Sequence, residues 1–212
     1  MASRTAVETL LAGFRRAPRG EQLRSLLPRL VQAANEKVFE TGLASKSRGP
    51  SMATTLVACA LRYDRVVVSH VGDSRCYSIR NGRATALTRD HTVVGERVRL
   101  GLISAQEAAE AETRHVLTRS LGNAMFVGVE TSDHLVLTGD VLLLCSDGLH
   151  GAVPAGEIAD IVTRNADLNT AACELIDAAN QRDGSDNVSV QLIRIRSVER
   201  VGMYRGRPYK LA

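Results

Sequence analysis

The chain has 212 residues, 44% of them hydrophobic and 24% charged, with a formal net charge of +4. Such a chain can bury a core without staples and reads as one large domain, with two small ones as the alternative, and no apolar run approaches the roughly 18 residues of a membrane span. Aromatic residues make up 3% and tryptophan is absent, which argues against base stacking on single-stranded nucleic acid.

The mild positive charge suits an anionic partner such as a phosphate ester. Cys59, Cys76, Cys145 and Cys173 lie in apolar segments without Cys-x-x-Cys spacing. They read as reduced core residues of a cytoplasmic protein. Met1 to Arg16 carries arginines along an amphipathic pattern and lacks a signal-peptide core.

The spacing of Val7, Leu10, Leu11 and Phe14 predicts a helix over Ser3 to Arg16, with Ser3 as its cap. Pro18-Arg19-Gly20 breaks it. A longer helix is expected from about Glu21 to Thr41, with Gly42 as its stop. Pro28 leaves open a start a turn or more later. Ala44 to Ser51 reads as a polar linker.

The pattern then alternates. Ala53–Arg62, Arg65–Val71, Arg75–Arg80 and Arg83–Thr88 read as four strands of an antiparallel meander, with Tyr63-Asp64 and Asn81-Gly82 as two-residue turns. Asp90 to Thr118 is polar and helical in pattern, and Ser104 with Glu107 forms a capping box. Its crowded charges read as a solvated surface excursion. Strands return at Val127–Leu137 and Asp140–Ser146, helices at Ala155–Arg164 and Asn169–Arg182, and a final strand at Asn187–Arg196. Helices, then a meander, then mixed elements predict an α+β fold with packed antiparallel sheets. The basic stretch from Ser197 to Ala212 reads as a mobile tail.

The chain has no phosphate-binding glycine loop and no nucleophile elbow. His70, His91, His115, His134 and His150 lack zinc-type spacing, and each reads as structural. What remains is a set of carboxylates at glycine-containing turns. Val141 to Leu144 reads as a buried strand that runs into Cys145-Ser146-Asp147-Gly148. An acid at such an exit is costly unless it meets a cation or a set of donors. Gly72-Asp73-Ser74 follows another strand, and Gly184-Ser185-Asp186-Asn187 precedes the last one. Acidic turns at strand ends are what an all-oxygen site for a hard divalent cation requires. A plain Asp-Gly turn is the alternative at Asp147. At Asp73 the alternative is a carboxylate that holds Arg75 and its own turn.

In this order, Met52-Ala53-Thr54-Thr55-Leu56-Val57-Ala58, Val71-Gly72-Asp73-Ser74-Arg75, Thr88-Arg89-Asp90-His91, Leu117 to Gly122, Asp140 to Leu149 and Gly184 to Val190 resemble the bacterial metal-dependent serine/threonine protein phosphatases, the PPM or type 2C family. The resemblance covers Ala2 to about Arg196, so residues 1–196 are expected to form a phosphatase-like domain and 197–212 a tail. It implies two antiparallel sheets packed as a sandwich flanked by helices. It implies hydrolysis of phosphoserine and phosphothreonine by a water held between two Mn²⁺ or Mg²⁺ ions, with a third, weaker ion in bacterial members. The physical sense is that paired cations acidify the water and neutralise charge on the transferring group. By resemblance, Asp147 and Asp186 are ligands of the second ion, and Asp73 and Asp147 match positions that bind the third. Gly148, Asn187, Gly72 and Ser74 support these loops. Asp90 to Thr118 matches a flap. Phosphorylated proteins, and a serine/threonine kinase acting with them, are the implied partners.

The resemblance also sets up a conflict. In the family, the helix resembling Ser3–Arg16 follows a strand pair with an acidic residue, a phosphate-binding arginine and an Asp-Gly-x-Gly-Gly turn whose aspartate bridges both metals. No such turn occurs in the 212 residues. Three readings stand: an N-terminally incomplete record in which Met1 is an internal start, an inactive relative that binds phosphoproteins, and a regulatory module that pairs through an exposed sheet edge.

Overall fold

The computed structural model describes residues 1–44, 52–199, 201–204 and 207–210. It contains helices α1 (Ala2–Arg16) and α2 (Leu23–Ala44), then strands β1 (Leu56–Arg62), β2 (Arg65–Val71), β3 (Arg75–Arg80) and β4 (Arg83–Ala86). Short helices α3 (Val93–Arg99) and α4 (Ala105–Glu110) follow, with a 3-10 turn at Glu112–His115. Next come β5 (Glu130–Leu135), β6 (Val141–Cys145), α5 (Asp147–His150), α6 (Ala155–Arg164), α7 (Leu168–Arg182) and β7 (Val190–Arg194). The last elements are β8 (Val201–Tyr204) and β9 (Arg207–Lys210). The architecture is α+β with two main antiparallel sheets, of strand order β1-β2-β5 and β4-β3-β6-β7.

The chain divides into two compact units. The first comprises residues 1–58, 69–74 and 89–131; the second comprises 59–68, 75–88 and 132–212. In the first, α1 packs on α2 through Ala6 and Leu10, while Val7, Leu11 and Phe14 of the same apolar stripe stay exposed. The stripe is wider than the single helix that covers it. No side chain caps α1, so Ser3 is not its cap; the N-cap residue is Met1. Helix α2 runs straight through Pro28 and past Gly42 to Ala44. Pro28 removes one hydrogen bond from the second turn, and burial of Leu26, Leu27, Leu30 and Val31 outweighs it. The predicted linker at 45–51 lies outside the described residues.

The expected four-stranded meander is two hairpins. The β1–β2 turn places Tyr63 at φ 57, and the β3–β4 turn places Asn81 and Gly82 at φ 51 and 70. Successive positive φ values match the twist of a tight hairpin. After β2 the chain changes sheet, so β3 pairs with β4 and β6 and not with β2. The turn at Gly72 makes this change possible, because its φ of +103 takes the chain out of extended conformation.

In the second unit β6 lies between β3 and β7, with Tyr77 opposite Leu143 and Leu143 opposite Leu192. Alternate residues Tyr77, Ile79, Val141, Leu143 and Cys145 form one face of this sheet. They share a core with Ile158, Ile161 and Val162 of α6 and Leu175 and Ala179 of α7. Cys76 and Cys145 are buried and Cys59 is half-buried, but Cys173 is exposed on α7. The expectation of four core cysteines therefore fails at Cys173. Residues 201–204 and 207–210 pair as a hairpin where the sequence reads as a tail.

Asp140, before β6, is 2% exposed. Arg80 grips both its oxygens at 2.7 and 2.6 Å, and the Leu137 N–H donates to it at 2.8 Å. Burial pushes this carboxyl up, but Arg80 and the Leu137 amide outweigh burial and hold it below its ordinary range. A carboxyl lowered in the folded state stabilises above its unfolded pKa of about 4 and loses that contribution as the pH falls through its folded value. Arg80→Met should therefore cost about 2 kcal/mol at neutral pH, with the deficit shrinking in acid. Urea unfolding at pH 7 and below pH 4 checks both statements.

Candidate functional site

Strand β6 is buried along its whole length and delivers Ser146 and Asp147 at its exit. Ser146 ties this exit to the loop before β7. Its N–H donates to the Ser189 carbonyl at 3.1 Å, its hydroxyl donates to the Asn187 carbonyl at 3.1 Å, and the same hydroxyl accepts the Ser189 N–H at 2.9 Å. The two acidic turns that carry Asp147 and Asp186 are thus joined by three hydrogen bonds. A Cβ on Gly148 would lie 2.7 Å from the Asn187 carbonyl oxygen. Only glycine allows the turns to approach this closely.

Asp147 is half-buried and Asp186 is exposed. Each folds back on its own turn: Asp147 Oδ1 accepts the Gly148 N–H at 3.0 Å, and Asp186 Oδ1 accepts the Asn187 N–H at 2.7 Å. Among the described residues neither carboxylate forms an ion pair. Asn187 takes part through its backbone, as donor to Asp186 and acceptor from Ser146. Ser146 is the residue that sequence reasoning missed. The only signal for it is a hydroxyl at the junction of an apolar strand and an acid, where it can donate and accept at once.

Asp73 belongs to the first unit and is 7% exposed. Before it, Gly72 packs so tightly on Thr55 that a Cβ would lie 2.3 Å from Thr55 Cγ2. After it, the Ser74 hydroxyl is 2.8 Å from the Thr55 hydroxyl. Gly72 is held on its other side by His91, whose N–H donates to the Gly72 carbonyl at 3.0 Å and whose Nδ1 accepts the Gly72 N–H at 3.2 Å. His91 stacks on His70 with ring centroids 4.6 Å apart, and its Nε2 lies 3.3 Å from Glu130 Oε2. Ligand atoms of His70, His91 and Glu130 all fall within 4.8 Å of one another. Both rings are 2% exposed.

The charged segment after Asp90 is ordered by local bonds. Thr92 caps α3 by accepting the Gly95 N–H, and the capping box of Ser104 and Glu107 is formed as expected. Glu96 binds Arg99 at 2.7 Å and lies 3.8 Å from Arg119. Elsewhere in the second unit, a cleft of about 600 Å³ is lined by Val66, Ser78, Arg80, Arg83, His134 and Leu142, among others. None of the carboxylates expected to bind metal lines it.

Residues 3–188 match the family model described as protein phosphatase 2C. The chain belongs to the protein phosphatase 2C family, the PPM serine/threonine phosphatases, in its bacterial form. It is 36% identical over 187 residues to the serine/threonine phosphatase stp of Listeria welshimeri, covering 88% of this chain and 72% of that protein. Among solved structures, it is similar to the PPM Ser-Thr phosphatase MsPP of Mycobacterium smegmatis in complex with cacodylate. The TM-score is 0.80 at 39% identity, covering 91% of this chain and 81% of that one. The catalytic domain of the serine threonine protein phosphatase PstP, in complex with 2 manganese ions, gives a TM-score of 0.75 at 30% identity and covers 90% and 78% of the two chains.

Two outcomes follow from this geometry. Ser146→Ala deletes both hydroxyl bonds between the acidic turns, so the Ser189 amide should exchange hydrogen faster, with about 1–2 kcal/mol lost; amide exchange and urea unfolding read the two effects. Burial, with smaller contributions from His70 and Arg119, holds the His91 imidazole below its ordinary range despite Glu130. A histidine lowered in the folded state binds its proton more tightly when unfolded. Its contribution is therefore full above about pH 6.5 and is lost as the pH falls through the folded value. Melting temperature should drop over that window, and His91→Gln should flatten the drop.

Proposed function

We propose that this chain hydrolyses phosphoserine and phosphothreonine in proteins, with divalent metal held by Asp147 and Asp186. The observation that carries the reading is the pair of acidic turns locked by Ser146, whose two carboxylates form no ion pair among the described residues. Carboxylate oxygens suit a hard ion such as Mg²⁺ or Mn²⁺, so the donor set fits the group. Bound metal would supply an acidified water and charge neutralisation for the transferring phosphoryl group. Asp147 and Asp186 would hold the ions, Ser146 and Gly148 set the approach of the two turns, and Asn187 aims Asp186 through its backbone. Asp73 is proposed as a carboxylate for a further, weaker ion. The relatives' names support the substrate class, and cacodylate in the Mycobacterium smegmatis structure is an oxyanion of tetrahedral shape, as phosphate is. A cytoplasmic setting beside a serine/threonine kinase belongs to the same proposal; among the described residues no helix is long and apolar enough to cross a membrane. Residues 1–196 are proposed as the phosphatase domain, with 197–212 outside it.

A second reading, a module that binds phosphoproteins without turnover, is favoured by one observation: Asp147 and Asp186 each turn a carboxylate oxygen back to the amide that follows it. Turnover of p-nitrophenyl phosphate and of a phosphothreonine peptide decides between the two. The first reading expects Mn²⁺-dependent turnover, abolished by EDTA and reduced at least about a hundredfold in Asp147→Asn and Asp186→Asn. Phosphopeptide binding with no turnover by the folded 212-residue chain would establish the second.

A further inference from the structure

We propose that His91 is a positioning residue for Asp73, with His70 and Glu130 fixing its ring; the inference rests on the reading of Asp73 as a metal ligand. The argument begins with proton placement. A backbone N–H can only donate, so the Gly72 N–H at 3.2 Å requires His91 Nδ1 to be unprotonated. The imidazole proton then sits on Nε2, which donates to Glu130 Oε2 at 3.3 Å. A carbonyl can only accept, so His70 donates from its own Nε2 to Arg89 O at 2.7 Å. Both rings therefore have one assigned tautomer, and their stacking at 18° between planes prevents either from turning alone.

These assignments argue against the cluster as a metal site of its own. A metal on His91 Nε2 would drive the proton to Nδ1, where it would face the Gly72 N–H. Two donors would then meet in a buried place, and one would be left without a partner. The nitrogens are committed to the backbone instead. The His91 Nδ1 bond fixes the peptide plane entering Gly72, and the His91 N–H bond to the Gly72 carbonyl fixes the plane entering Asp73. Thr55 closes the other side, against Gly72 by packing and against Ser74 by a hydroxyl pair. Those two planes set the Asp73 N–Cα bond, and the Ser74–Thr55 hydroxyl pair restrains the chain on the other side of Asp73, so its backbone is held from both sides. Partners that orient a ligand in this way typically contribute about 10–100-fold to metal affinity.

The test uses the 212-residue chain with Mn²⁺ alone as the probe, free Mn²⁺ being read by electron paramagnetic resonance, and melting in EDTA as the control for folding. Asp73→Asn is expected to remove a weak Mn²⁺ step. His91→Ala should weaken the same step about tenfold, and His91→Asn, whose amide oxygen can accept the Gly72 N–H, should restore most of it. The double variant His91→Ala with Asp73→Asn should bind Mn²⁺ no worse than Asp73→Asn alone. Glu130→Leu keeps the ring but removes the acceptor for its Nε2–H, and should weaken the step in the same direction even if His91→Ala does not fold. An unchanged step in both His91→Ala and Glu130→Leu, with Asp73→Asn still removing it, would overturn the positioning role and leave Asp73 a ligand. Additive losses in the double variant would also overturn it, since a general loosening would explain them. If Asp73→Asn changes no Mn²⁺ step, the reading of Asp73 falls and the positioning role falls with it.

Discussion

The Ser146 hydroxyl donates to the carbonyl of Asn187 and accepts from the amide of Ser189, while its own amide donates to Ser189. These bonds matter because the turns they join are acidic. Like-charged carboxylates on neighbouring loops repel each other, and each of these two accepts the amide that follows it. The loops themselves are tied by bonds from Ser146 that do not involve the carboxylates. For the proposed metal ligands, loops tied in this way are a preorganised set. Gly148 belongs to the same constraint, since any side chain there would push the Asn187 carbonyl away.

The first unit solves a similar problem by other means. Asp73 follows a glycine at positive φ, and both backbone polar groups of that glycine are bonded to His91. Here the support is a buried aromatic pair with matched tautomers, in place of a serine between loops. In each case the supporting group is neutral and bonds to backbone, so it adds no charge that would compete with a cation. The arrangement is sensitive to acid, because a proton on His91 Nδ1 would oppose the Gly72 N–H.

The second unit gives the acidic turns a rigid base. Strand β6 has partners on both sides and is buried throughout, with α6 and α7 over one face of its sheet. Asp140 at its start is neutralised by Arg80, whereas Asp147 at its end forms no ion pair among the described residues. One strand thus carries a structural acid and a candidate ligand, and the presence of a guanidinium distinguishes them.

Much of this was legible from residue order. The apolar run Val141–Leu144 leading into Cys-Ser-Asp-Gly marks a buried strand meeting an acid, Asn81-Gly82 marks a hairpin, and Ser104 with Glu107 marks a helix start. All of these depend on neighbours in the chain, so local stereochemistry determines them. Pairing of β3 with β6 instead of β2, the bonds from Ser146 to residues more than 40 positions away, and the seating of His91 on Gly72 depend on contacts distant in sequence. Hydrophobic period and turn residues carry no information about which strand a hairpin joins. A histidine between Asp90 and Thr92 looks the same in sequence whether it merely fills space or orients an acid. Ordered motifs pointed to the family and acidic turns to the candidate carboxylates; only tertiary structure decided what holds them, because the holding groups act across the fold through single, directional hydrogen bonds.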